Sequence, residues 1–259
     1  MSGKSVLGPR SSAWPDDPAP ARPELPPGTR IYVVGDIHGR SDLLAALHRK
    51  ILLDARDAPA RCVLVYLGDF IDRGGDSPGV VDLLLAGPPP GFAAVHLKGN
   101  HEQSLLDFLE DTSGGPHWLS FGGDMTLSAY GIALPAAERI EALHLKAAQS
   151  ALRERLPAAH RAFFSGLVTS HAEGDYFFAH AGIRPGVALA AQTPDDLMWI
   201  REPFLSSTAD HGKVVVHGHS ISDQVEVRAN RIGIDTGAYF SGRLSALVLE
   251  GATRRILST

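Results

Sequence analysis

Five short stretches carry the residue types that could act together on a charged substrate. Asp36 and His38 sit in Gly35-Asp36-Ile37-His38-Gly39, and Asp69, Asp72 and Arg73 in Gly68-Asp69-Phe70-Ile71-Asp72-Arg73-Gly74. Asn100 and His101 open Gly99-Asn100-His101-Glu102, His180 opens His180-Ala181-Gly182, and His217-Gly218-His219-Ser220 closes the set. Each stretch follows an apolar run: Ile31 to Val34, Cys62 to Leu67, Ala94 to Leu97, Tyr176 to Ala179 and Val214 to Val216. Carboxylates at the end of a buried strand are costly to desolvate unless a cation or hydrogen bonds compensate them. Asp, Asn and His suit divalent ions, and imidazole favours Mn, Fe, Co or Zn over Mg or Ca. Asp36, His38, Asp69, Asn100, His180 and either His217 or His219 are too many donors for one tetrahedral ion. Two ions about 3.5–4 Å apart, bridged by one carboxylate, would share them. The central stretch is the natural source of that bridge, which points to Asp69.

The elements needed to position these residues are legible around them. Asp36 and Asp69 are 33 residues apart, and Asp69 and Asn100 are 31 apart. A βαβ unit takes roughly 30 residues or more, so the three loops can lie side by side at one sheet edge. That edge is where open α/β sheets place ligands. Ser41 or Asp42 is expected to cap a helix over Leu43, Leu44, Leu47, Ile51 and Leu52, which share one face. A second helix is expected from about Ser77 through Leu85, and a third from His101 through Leu109. Strand–helix alternation of this kind predicts a parallel sheet. Residues 112–170 change character: Gly114 to Trp118 and Gly122-Gly123 read as loops, and Ala136 to Leu156 as a long helix. A helical cap beside the site and structural filler are both open readings of that insertion. Strands then return at Tyr176–Ala179 and Val214–Val216, and Gln224–Val227, Arg231–Ile234 and Leu244–Leu249 follow at short spacing with Gly/Asn/Asp turns, which predicts an antiparallel succession. The expected fold is therefore mixed α/β, a two-sheet β-sandwich flanked by helices, with a helical cap insertion around 112–170.

Composition bounds the rest. The chain has 259 residues, 44% of them hydrophobic and 20% charged, enough for one sizeable core. A formal charge of −5 argues against a nucleic-acid partner, which would favour a basic stripe. No apolar run approaches the roughly 20 residues that span a bilayer, so no membrane is expected and the cytoplasm is the default location. Cys62 is the one cysteine; it excludes an internal disulfide and reads as a buried thiol. Residues 1–28 are interrupted by Pro9, Pro15, Pro18, Pro20, Pro23, Pro26 and Pro27 and read as an unstructured leader. The folded domain is expected over 29–259.

The ordered blocks, Gly35 to Gly39, Gly68 to Gly74, Gly99 to Glu102, His180 to Gly182 and Gly218 to Ser220, resemble the signature of the PPP family of metallophosphatases, within the calcineurin-like metallophosphoesterase superfamily. The bacterial and bacteriophage branch is the most similar, with further likeness at His117-Trp118, Trp199 to Glu202 and Asp235 to Ala238. One such block is a weak signal, but five in order are strong. The resemblance implies that Asp36, His38 and Asp69 hold one metal, and that Asp69 bridges to a second held by Asn100, His180 and His219. It selects His219 over His217, which then reads as a core residue or one that backs a ligand. It implies two divalent ions, Mn²⁺ first and Fe, Zn or Co as alternatives, and a bridging hydroxide as nucleophile. His101 would be the general acid and Asp72 would orient it; Arg73 and Arg201 would bind phosphate oxygens, with Asn100 touching the phosphate. Glu102 reads as structural, and His48, His144, His160 and His171 as surface groups. The substrate implied is a phosphoprotein or phosphopeptide at phosphoserine or phosphothreonine. Broad or tyrosine-directed specificity, a diadenosine tetraphosphate hydrolase and a non-catalytic binding module are the alternatives. The Ser-Ala-Pro-Asn-Tyr run of eukaryotic members is absent; Asp235 to Tyr239 stands in its region.

Overall fold

The computed structural model describes residues 22–59 and 61–259. The first three apolar runs become β1 (Thr29–Val34), β2 (Arg61–Tyr66) and β3 (Phe92–His96). They pair in parallel, with Val34 opposite Tyr66 and Tyr66 opposite His96, so the loops after them leave from one edge. Helices α1 (Ser41–Asp54), α2 (Ser77–Leu85) and α3 (Asn100–Glu110) connect and follow them. Leu44, Leu47 and Ile51 are the buried face of α1, while Leu52 falls outside it and is exposed. Arg40, not Ser41 or Asp42, holds the N-cap position of α1, and Ser41 instead donates to the Asp76 carboxylate. Asp76 caps α2 by accepting from the Gly79 N–H at 3.0 Å, with Pro78 in the first turn.

The insertion forms α4 (Gly115–Trp118), a kink over Leu119–Gly123 where Phe121 and Gly122 leave helical geometry, α5 (Asp124–Ala129), α6 (Ala142–Arg155) and α7 (Ala158–Ser165). The second half of the chain gives β4 (Ser170–Glu173), β5 (Tyr176–Ala179), α8 (Pro194–Trp199), β6 (Val214–His217), β7 (Glu226–Val227), β8 (Arg231–Gly233), α9 (Ala238–Ser241), β9 (Ser245–Glu250) and β10 (Thr253–Ser258). Among the described residues these strands make two five-stranded sheets, β10-β9-β1-β2-β3 and β4-β5-β6-β8-β7. The expected antiparallel succession holds for β7 on β8 but does not continue to β9, which joins the other sheet; β5, β6 and β8 are parallel, and β4 and β7 at the edges run against them. Parallel neighbours need a crossover of a dozen or more residues. The chain between β5 and β6 carries α8, and that between β6 and β8 carries β7, which supplies the length. β9 returns to the first sheet, antiparallel to β1.

Strand alternation divides the core. Ile31, Val33, Val63 and Val65 face Tyr176, Phe178, Val214, Val216 and Ile232 between the sheets. Tyr32, Val34, Leu64 and Tyr66 face the helices instead, packing with Leu44, Leu47, Val80, Leu105 and Leu152. Phe177, Ala179 and Val215 pack outward against Leu197 and Phe204. Among the described residues no helix is long and apolar enough to cross a membrane.

Packing is seen ahead of residue 29. Residues 1–21 lie outside the described residues, but Leu25 is buried between the sheets. Its N–H donates to Gly251 O at 3.1 Å, and Tyr176 Oη donates to Pro23 O at 3.1 Å. One leucine among prolines gives no periodicity, so the sequence carried no sign of this anchor. Leu25→Ala is expected to cost about 2–5 kcal/mol in a denaturant melt, the range for truncating a buried leucine. Turnover of a small phosphomonoester should stay within a few-fold, because Leu25 packs in the core, away from the loops. An unchanged melt would mean that the anchor bears no stability.

Candidate metal centre

The five loops converge, and their backbone is strained where they do. Among the described residues, the non-glycine residues with positive φ are His38 (46°), Asp69 (51°), Asp72 (70°), Arg73 (65°) and His219 (61°). Such conformations persist only where the surroundings over-determine them, and they cluster at functional sites. Here Glu102 does much of the holding. Its buried carboxylate accepts from the Asp69, Phe70 and Gly99 N–H groups at 2.9, 2.7 and 2.9 Å, and from Ile71 N–H at 3.3 Å. The His38 N–H donates to Asp69 O at 2.9 Å, which locks the first loop to the second. Glycine is required where carboxylates meet backbone. A Cβ on Gly99 would lie 2.0 Å from Asp69 Oδ1, and one on Gly218 2.0 Å from Asp36 Oδ1.

Asp69 lies at the centre. Its Oδ2 is 3.6 Å from His38 Nε2, 3.6 Å from His101 Nε2 and 3.4 Å from His180 Nε2. Two groups of donors could each hold a metal ion: His38, Asp69 and His101, and Asp69, His180 and His219. Asp69 is common to both. His38 Nδ1 donates to Ile71 O at 2.8 Å and His180 Nδ1 to Leu67 O at 2.9 Å, which leaves both Nε2 atoms facing inward as ligands. Asn100 Oδ1 is 3.0 Å from His180 Nε2. Asp36 Oδ2 accepts from the His219 N–H at 3.0 Å, so the first and last loops are joined.

Two observations fit a cation pair to these residues. Asp36 Oδ1 and His38 Nε2 are buried without a hydrogen-bond partner. The electrostatics are frustrated as well. Burial, and then the neighbouring Asp235 carboxylate, push Asp36 well above the usual carboxylate range. Burial would raise Asp69 too, but the imidazoles of His101 and His180 overcome it and hold it well below that range. Burial acts to lower His180, yet Asp69 dominates and raises it to about 10. Burial, and then His180, take His219 down to about 2. Carboxylates and imidazoles forced together in this way are relieved by divalent ions.

His101 has a second contact. Its Nδ1 is 2.7 Å from Asp72 Oδ2, and the fully buried Asp72 also accepts from Trp118 Nε1 at 2.8 Å and Thr126 Oγ1 at 2.5 Å. Burial opposes protonation of His101, but Asp69 and then Asp72 raise its pKa. Trp118 and Thr126 come from α4 and α5. That part of the insertion is thus a wall of the site, while α6 and α7 pack on the helical layer behind it. Phe121 stands edge-on to His101 with ring centroids 4.7 Å apart. Arg73 Nε donates to Phe121 O at 3.3 Å, and its guanidinium lies 5.0 Å over the Tyr239 ring. Arg201, exposed, donates to Ser220 Oγ and His219 O at 3.3 Å each. The two arginines therefore flank the centre from different loops.

A profile of the calcineurin-like phosphoesterase family matches residues 29–242. The chain belongs to that family. Among curated relatives it is 35% identical to serine/threonine-protein phosphatase 1 of Salmonella typhimurium, over 83% of this chain and 89% of the relative. It is 32% identical to serine/threonine-protein phosphatase 2 of Escherichia coli, over 83% of this chain and 90% of the relative. These two bear out the likeness to the bacterial branch of the PPP phosphatases. Among solved structures, a candidate diadenosine tetraphosphatase superposes with a TM-score of 0.56 at 24% identity, covering 89% of this chain and 94% of the other; it shares the fold.

Within this phosphoesterase every residue singled out from sequence is brought to one site except His217. That side chain is buried and turned away, with Nδ1 3.0 Å from Gly218 O and Nε2 3.2 Å from the Arg231 guanidinium. The reading of His160 as a surface group is corrected: it is buried between Tyr130 Oη at 2.7 Å and Asp82 Oδ1 at 2.9 Å. His48 is half-buried against Tyr66 Oη at 2.8 Å. Sequence reasoning missed Thr126 and the Arg73–Tyr239 contact, and it gave Asp235 no role beyond its place in the Asp235 to Ala238 likeness.

Proposed function

We propose that the chain is a phosphomonoester hydrolase with two divalent ions, Mn²⁺ first among them, acting on phosphoproteins at phosphoserine or phosphothreonine. The observation that carries this is the position of Asp69, shared by two groups of donor atoms, beside the His101–Asp72 pair. Asp36 and His38 would hold one ion, Asn100, His180 and His219 the other, and Asp69 both. When bound, the pair supplies Lewis-acid charge and a water of lowered pKa as nucleophile.

The remaining work falls to this chain's own side chains. His101 is held with Nδ1–H toward Asp72, so a proton on Nε2 faces the centre and can pass to a departing oxygen. An alkoxide leaves badly without that proton, which makes the His101–Asp72 pair the feature that suits serine and threonine esters. Arg73 and Arg201 present guanidinium forks to the free oxygens of a terminal phosphate, and Asn100 adds an amide. Phe121 and Trp118 exclude water from the Asp72 side. No side chain stands as a covalent nucleophile in this scheme; Cys62 is a buried thiol within β2. The cytoplasm is the location in keeping with that free thiol.

The names of the enterobacterial relatives support a phosphoprotein substrate. The test is a matched panel of phosphoserine, phosphothreonine and phosphotyrosine peptides with diadenosine tetraphosphate alongside. The expected result is kcat/KM highest on the phosphoserine or phosphothreonine peptides. A dinucleotide preferred tenfold over every peptide would sink the substrate assignment. Cleavage of phosphotyrosine alone would keep the mechanism and remove the named specificity.

A further inference from the structure

Asp235 is a buried carboxylate that the reaction above leaves without a task. It lies just beyond β8, where the chain runs against the end of β1: a Cβ on Gly35 would meet Ile234 O at 2.8 Å. The Ile234 N–H donates to His217 O at 2.9 Å, which ties the same segment to the strand leading into His219. Asp235 is therefore set where the loops carrying Asp36 and His219 approach each other. The Gly237 N–H donates to Asp235 Oδ1 at 2.9 Å, aided by the left-handed backbone of Gly237 (φ 66°). Asp235 Oδ2 is buried and, among the described residues, has no hydrogen-bond partner. Asp36 Oδ1, across the gap between the sheets, is in the same condition. Two carboxylates from opposite sheets thus each keep one oxygen without a protein donor. Such atoms are costly to bury unless something outside the chain satisfies them.

We propose that Asp235 belongs to the metal centre, its Oδ2 serving the ion held by Asp36 and His38, either as a ligand or through a water on that ion. This rests on the two-metal reading above. The groups whose charges act on Asp235 are those gathered at the site, Asp36, Asp69, His180 and Arg73. Arg73 does not satisfy it, since its guanidinium is engaged by Phe121 O and Tyr239. Three carboxylates against two divalent ions leave one positive charge, which a bridging hydroxide would cancel, so the attraction for a phosphate dianion falls to Arg73 and Arg201. Asp235 is the foremost neighbouring charge acting on Asp36, so the site that Asp36 and His38 would hold is the one expected to depend on it.

The experiment uses the full chain, stripped of metal and titrated calorimetrically with Mn²⁺, with elemental analysis after dialysis and thermal melts in both states. The wild type should bind two ions. Asp235→Asn should weaken one site by about 10–100-fold, the range for residues that support a ligand set, and leave the other within twofold. The metal-free melting temperature should hold or rise, because asparagine keeps the acceptor for Gly237 N–H and removes a like charge beside Asp36. The Mn²⁺-induced rise should shrink. Two unchanged sites would overturn the proposal while sparing the two-metal reading. A lower metal-free melting temperature with full Mn²⁺ affinity would make Asp235 a structural brace and overturn it equally. A folded wild type that binds no Mn²⁺ would remove the two-metal reading and the proposal with it. The same readings on Asp235→Ser decide the matter if the asparagine amide does not fit.

Discussion

Asp69→Asn is expected to strip the protein of both metal ions at concentrations that saturate the wild type. The carboxylate is the atom group shared by the two donor sets, with His38, His101 and His180 Nε2 atoms 3.4–3.6 Å from Oδ2. Asparagine keeps the size and can still accept the His101 N–H that now reaches Oδ1 at 3.2 Å. It loses the charge, and it turns an amide N–H₂ toward imidazoles or toward a cation. Substitutions behind a ligand typically cost 10–100-fold in metal affinity, so replacing a shared ligand should cost more than about 100-fold. Activity should fall in step. Chelator-treated wild type should be inactive and recover with Mn²⁺, whereas the variant should not recover at the same Mn²⁺ concentration. Elemental analysis of the dialysed proteins, with circular dichroism to check the fold, is the measurement. Full turnover in protein shown to be metal-free would end the two-metal account. A variant that keeps both ions would end the bridging role of Asp69 alone.

What made this centre legible in sequence was its local encoding. Apart from Arg201, which follows α8, each predicted group comes one to six residues after an apolar run, and glycines mark where the loop must pass close to a carboxylate. Strand, turn and donor are therefore read together in one short window. The order β1-β2-β3 followed from two intervals of about the length of a βαβ unit. Features that depend on residues far apart in the chain were not legible. Trp118 and Thr126 reach Asp72 across 46 and 54 residues, and no pattern near either one announces it. His160 belongs to no motif, and its partners Tyr130, just past α5, and Asp82 of α2 lie 30 and 78 residues away. The parallel core of the second sheet was hidden because turn residues between short strands look the same whether the chain turns back or crosses over. Asp235 lies in a stretch with family likeness, but its unpartnered oxygen exists only once the two sheets are brought together.

Replacing His101 tests how the site divides labour between metal and proton. The geometry admits two roles. His101 Nε2 sits with His38 and Asp69 in a donor group that could hold an ion, while Nδ1 is bound to Asp72 at 2.7 Å. A carboxylate behind an imidazole can back a metal ligand or a proton donor; the resemblance to the PPP phosphatases and the raised pKa of His101, which keeps a proton on it, favour the donor. His101→Asn should therefore lower kcat on phosphoserine peptides by roughly 10²–10⁴-fold, the usual worth of a positioned general acid. On p-nitrophenyl phosphate the loss should be much smaller, because that leaving group departs without a proton. Metal content should stay at the wild-type value. Thr126→Val, which leaves Asp72 Oδ1 without one of its donors, should show the same dependence on leaving group at smaller amplitude. An equal loss on both substrates with metal retained would place His101 in phosphate binding instead. Loss of an ion from the His101 variant would make it a ligand, and the source of the proton would then have to be sought elsewhere in the site.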